Sequence, residues 1–141
     1  MESDKTLEEQ QAYLNKLVQD RGYVLDYHKI LVKHDFEAMV SINRLLETVY
    51  LKDRLLDRST KELLSIFGLI LGRAARGQIQ SHMQVAVEQG ITAGQLLELV
   101  ELVLPMAGFA TFQIGFTAWC DFFKVDGIEP TVDRYEGGRP A

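Results

Sequence analysis

The chain has 141 residues, a formal net charge of −5, 47% hydrophobic residues and 25% charged ones. That size and balance fit one folded, soluble domain and exclude a largely disordered chain. Nucleic acid is excluded as a partner: the charge is acidic, and Arg54, Arg58, Arg73 and Arg76 are separated by apolar or acidic residues rather than gathered into a basic stripe.

The first residues, MESDKTLEEQQ, are polar and acidic and contain no apolar signal-peptide region. The apolar stretches at 63–71 and 102–112 are interrupted and shorter than the roughly 20 residues that span a bilayer. The expectation is a cytoplasmic protein without a membrane partner. Cys120 is the only cysteine, so an intrachain disulfide and any CxxC redox or zinc site are excluded.

Helical periodicity dominates, and no segment alternates with period two. Thr6-Leu7-Glu8-Glu9 reads as a capping box opening a helix to about Asp20, ended by Arg21-Gly22. A second helix is predicted over about Val24–Lys33. Asp35 is the expected N-cap of a third, reaching about Leu51, with Met39, Ile42, Leu45, Leu46 and Val49 on its apolar face. After a charged connection at 52–58, Ser59-Thr60-Lys61-Glu62 reads as a second capping box. It opens an apolar helix, Leu63 to Leu71, hydrophobic on nearly every side and therefore expected in the centre or at a subunit interface. Gly72 and Gly77 are the places for that helix to bend or stop.

Another helix is predicted from Gln78 to Gln89, with Gly90 just past its end. Thr92-Ala93-Gly94-Gln95 reads as a third capping box. Its helix should end or kink at Pro105. A last helix is expected from Gly108 to about Lys124, its aromatic residues serving as core or interface. The tail from Asp126 to Ala141 is expected to be irregular.

Within Arg58–Phe116, Glu62-Leu63 opens an apolar helix, and His82, Ala86, Gly90, Thr92 and Gly108 follow in order. This arrangement resembles the core of the carboxymuconolactone decarboxylase and alkylhydroperoxidase-D-like superfamily, over somewhat under half of the chain. The resemblance implies an all-α, multi-helix domain of short helices assembled as a homo-oligomer, a trimer or hexamer. The amount of apolar surface points the same way, since it exceeds what a monomer of this size easily buries. In the peroxidase branch, cysteines stand seven and four residues before the histidine. Here those positions are Ala75 and Gln78, so that thiol chemistry is absent and the cysteine-free, decarboxylase-like branch is the better fit.

His82 matches the family histidine and is the leading proton donor or acceptor. Gln78, four residues earlier on the same helical face, is placed to orient a ligand carboxylate or carbonyl. Glu62 matches the family glutamate and is the second catalytic candidate, although its position in a capping box gives it a structural role, which is preferred here. A straight hairpin turning near Arg76-Gly77 would hold Glu62 and His82 ~14 Å apart, so their pairing would need a bend, a steep crossing or another subunit. Arg73 and Arg76 are candidates to receive an anionic substrate, set against a plain role as cations at a helix C-terminus. Arg44 and Arg58 are weaker cases of the same kind. His28 and His34, six apart, do not share a face, and no metal site is expected. The functional expectation is a cofactor-free decarboxylase-like enzyme acting on a small anionic, carboxylated lactone. The alternatives are a non-catalytic oligomeric ligand-binding protein and, last, peroxidase activity through Cys120.

Overall fold

The computed structural model describes residues 4–131, and the described chain is all helix and loop. The helices are α1 (Leu7–Arg21), α2 (Asp26–His34), α3 (Phe36–Leu46), α4 (Arg58–Leu71), α5 (Arg76–Glu88) and α6 (Ala93–Phe123). A π-helical turn, Glu47–Leu51, continues α3 to the end predicted for it, closed by the amide of Lys52 donating to the Glu47 carbonyl at 3.2 Å. Residues 125–131 carry no regular structure, and the rest of the expected irregular tail lies outside the described residues.

Two of the three expected capping boxes form. Thr6 accepts from Glu9 N while Glu9 returns to Thr6 N, and Thr92 and Gln95 do the same for α6. The third does not. The N-cap of α4 is Asp57, whose carboxylate accepts from Thr60 N at 2.7 Å. Starting the helix there places Glu62 two residues beyond the third helical position that a capping box uses, and it turns to the interior, fully buried. Helix ends also correct the arginines. Arg76 is the first residue of α5, not the last turn of α4, and its charge at that unfavourable end is met by Asp121. The α4 helix stops at Gly72, one of the two places expected for it, and Arg73 after it takes the left-handed conformation (φ 56°).

The α4, α5 and α6 helices pack mutually around Ile66, Ile70, Ile79, Met83, Val100 and Trp119, with the indole of Trp119 donating to the Ala93 carbonyl at 2.9 Å. Gly115 lets α6 lie against α4, since a Cβ there would meet Ile70 Cδ1 at 2.6 Å. The predicted break in α6 occurs at Gly108 (φ 81°), whereas Pro105 is accommodated inside the helix. By length and composition alone α6 is long and apolar enough to cross a membrane, although Gly108 interrupts it. Its inner face nevertheless packs on α4 and α5 as a core helix does.

Helices α1–α3 form a smaller lobe around Leu17, Val32 and Met39. The expected apolar face of α3 is corrected: Asn43 is buried with Met39, while Leu45 is exposed. Asn43 belongs to a buried polar cluster. Arg21, 2% exposed, donates to the Asn43 side-chain Oδ1 and reaches His28 Nε2, and Leu25 N donates to His28 Nδ1 at 2.9 Å. The small lobe meets the core at Gly22, the left-handed cap of α1, where a Cβ would stand 3.4 Å from Val85.

Burial, reinforced by the Arg21 charge, holds the His28 imidazole neutral, its pKa pushed down from 6.5 to about 4. The unfolded chain takes up a proton at this residue as pH falls below 6.5, and the folded chain does not until about 4. Stability from His28 is therefore intact above 6.5 and lost progressively toward 4. Thermal melting between pH 7 and 4 should show this as a falling Tm, with a shallower fall in His28→Gln. An equally steep fall in the variant would assign the pH dependence elsewhere.

Candidate active site

Helix α4 carries two stripes. Glu62, Ile66 and Ile70, four apart, face the core, and Lys61, Leu64, Ser65, Gly68 and Leu69 face a cavity of about 550 Å³. Helix α5 supplies Gln78 and His82 to the same cavity, one turn apart as their spacing predicts. The opposite wall comes from the small lobe: Tyr23 and Leu25 between α1 and α2, Tyr27 at the start of α2, then Leu46, Val49 and Tyr50 at the end of α3 and in the π turn. At Gly68 a Cβ would meet nothing within 4 Å, so that residue leaves open space in the wall.

Glu62 and His82 are in direct contact, correcting both the separation expected of a straight hairpin and the preference for a capping glutamate. His82 Nδ1 lies 2.5 Å from Glu62 Oε1. The connection between the helices occupies residues 72–75, so Glu62 stands only ~14 Å from the end of α4 and His82 ~9 Å from the start of α5. Two side chains span the remainder. No bend in α4 and no second subunit is needed.

Two tyrosines complete the group. The Tyr50 hydroxyl donates to Glu62 Oε2 and sits 3.3 Å from His82 Nδ1. The Tyr23 hydroxyl lies 3.1 Å from His82 Nε2. Arg58 stands behind, Nε 3.6 Å from Glu62 Oε2, with its guanidinium 4.5 Å from the centre of the Tyr50 ring. One proton arrangement gives every short contact a donor and an acceptor. Glu62 is a carboxylate accepting from Tyr50 O–H and His82 Nδ1–H, and Tyr23 O–H donates to the bare Nε2. Burial pushes the Tyr23 phenol up to about 12, and burial together with the Glu62 hydrogen bond pushes Tyr50 up as well, so both remain donors at neutral pH.

His82 is 7% exposed and Glu62 fully buried, so the cavity meets the ring edge and the carboxylate works only through it. This is the order found wherever a buried carboxylate fixes an imidazole tautomer and leaves the other nitrogen to the substrate.

The remaining sequence candidates are placed elsewhere. Arg73 donates to the Thr111 hydroxyl at 3.3 Å, and Arg76 pairs with Asp121 beside a separate, smaller recess. Neither lines the cavity that holds His82. Arg58 does join the site, through Glu62 rather than through the cavity. Cys120 packs against the core of α4–α6 and away from the cavity, its thiol pushed up by burial and by Asp121. Among the described residues no group of three His, Cys, Asp or Glu side chains is arranged to hold a metal. Tyr23, Tyr50 and Lys61 join the site without being sequence candidates for it. The available signal was modest: a tyrosine at a buried position needs a partner for its hydroxyl, and Arg58 with Glu62 is an i, i+4 ion pair.

The model of the carboxymuconolactone decarboxylase family matches residues 37–119. The match reaches further toward the N-terminus than the segment that carries the resemblance. It takes in Tyr50 with Glu62 and His82, and leaves Tyr23, Leu25 and Tyr27 outside. No curated protein and no solved structure matches the chain.

Tyr50→Phe removes one donor from a carboxylate that water does not reach. Urea denaturation should show a loss of about 1–3 kcal/mol. Unchanged or increased stability would mean that Tyr50 does not support the Glu62 charge.

Proposed function

The chain belongs to the carboxymuconolactone decarboxylase family, and from that premise we propose that it is a cofactor-independent decarboxylase of a small carboxylated lactone or a related product of aromatic ring cleavage. The observation that carries this reading is the chain of contacts from Glu62 through His82 to the cavity edge.

Decarboxylation breaks the bond between a ring carbon and its carboxylate. Carbon dioxide leaves, and the electron pair passes into the conjugated lactone carbonyl as an enolate. That enolate then takes a proton on carbon. His82 relays that proton: its bare Nε2, which the substrate reaches by displacing the Tyr23 hydroxyl, takes up a proton from solvent and passes it to the carbon, which returns the ring to its neutral form. Glu62 keeps the hydrogen on Nδ1 and Nε2 directed at the cavity, while Arg58 and Tyr50 hold the Glu62 carboxyl in place. The Gln78 amide lies in the same wall and supplies a donor to the developing enolate oxygen.

His82→Gln should lower turnover of carboxymuconolactone by about 10²–10⁴-fold, the usual contribution of a positioned acid or base. Loss of the lactone chromophore together with released carbon dioxide measures this. A wild-type protein that binds the lactone without releasing carbon dioxide would instead be a ligand-binding member of the family, and an active His82→Gln variant would remove the histidine from the mechanism.

The same proposal includes self-association as a trimer or hexamer. It is supported by the exposed apolar row of Leu64 on α4 and Leu102, Met106 and Phe109 on α6. Sedimentation equilibrium should give three or six times the 16.0 kDa chain mass, and Phe109→Glu should shift the distribution toward monomer. A monomeric wild-type protein would refute it.

A further inference from the structure

The reaction proposed above requires an anchor for an anionic substrate, and the arginines that the sequence offered for it are engaged outside the cavity. Resting on that reading, we infer that Lys61, assisted by Ser65, binds the carboxylate that the substrate keeps, and that the carboxylate lost as carbon dioxide has no cationic partner.

Among the residues lining the cavity, Lys61 alone has an ammonium side chain, and none has a carboxylate or a guanidinium. Among the described residues no carboxylate forms an ion pair with it. Its ammonium donates to the Lys52 carbonyl at 2.5 Å, which fixes the side chain and leaves two further N–H donors. Ser65 lies one turn along α4 on the same face, so the two residues line one wall. Gly68 continues that wall with open space, and Leu25, Leu64, Tyr23 and Tyr27 supply the apolar body for a ring. The volume, about 550 Å³, is that of a small-molecule site.

The chemistry decides which carboxylate Lys61 holds. A cation beside the departing carboxylate stabilises the charge that must flow out of it and slows the reaction. A cation beside a retained carboxylate binds substrate and transition state alike and orients the ring. One cation in the cavity therefore fits a lactone with two carboxylates, one kept at Lys61 and one released among tyrosine and leucine side chains near His82. Lys61 is in this sense a positioning residue.

Binding of benzoate and of its neutral isostere benzamide to the whole protein, followed by calorimetry, tests the assignment without turnover. Wild type and Lys61→Arg should prefer benzoate. Lys61→Met should weaken benzoate by about tenfold or more, the effect of losing a charge-assisted hydrogen bond, and leave benzamide unchanged. Arg73→Met and Arg76→Met should bind benzoate as wild type does. The benzamide measurement guards against a misfolded variant, because a collapsed cavity loses both ligands. Equal benzoate affinity in wild type and Lys61→Met, a matching loss of benzamide, or no preference for benzoate in wild type would each overturn the assignment. A protein that binds benzoate through Lys61 yet releases no carbon dioxide from carboxymuconolactone keeps this anchor and loses the decarboxylase reading, so the two fail separately.

Discussion

A carboxylate sealed from water is the constraint around which the described structure is arranged. Glu62 has no exposed surface, and an ion in that position is stable only when opposite charge and hydrogen-bond donors replace its hydration. Those groups come from three places. Arg58 is supplied by the preceding turn of α4, His82 by α5, and Tyr50 by the π turn after α3. Meeting the needs of one side chain thus ties the core helices to the last element of the small lobe. Such π turns recur at functional sites, and here the turn carries the residue that donates to the buried anion.

The same requirement sets the direction of the chemistry. With Glu62 and Tyr50 on one side of the imidazole, His82 has one nitrogen committed to the interior and one toward the cavity. The ring is held by partners rather than by packing alone, which is what a proton-transfer group needs to keep its orientation between turnovers. The Tyr23 hydroxyl partners the cavity-facing nitrogen, so that nitrogen is not left without a hydrogen bond in its buried setting.

Much of the fold is legible in the residues because the signals are local. Caps at Thr6, Asp35 and Thr92, the left-handed glycines at 22, 90 and 108, and the three-four spacing of apolar residues mark most helices correctly. His82 and Gln78 share a wall because one helical turn separates them. What was not legible is non-local. The Glu62–His82 contact depends on where a four-residue connection begins and ends, and a few misassigned helical residues multiply into many ångströms. Glu62 itself sits in a sequence that imitates a capping box, and only the competing cap at Asp57 reveals it as an interior residue. Tyr23, Tyr50 and Lys61 are brought to the site by the docking of one lobe on another, which leaves no periodic trace. The arginines misled for a related reason: Arg76 opens a helix rather than closing one, and its charge is spoken for by Asp121, 45 residues away.

The bare stretch of wall at Gly68 separates two properties that enzymes usually keep entangled. The catalytic contacts hang from the inward stripe of α4, whereas the empty space lies along the neighbouring stripe, on the same rigid helix. The bulk of a single side chain at that position is therefore a dial for the girth of admissible guests, and turning it need not disturb the proton machinery one stripe over.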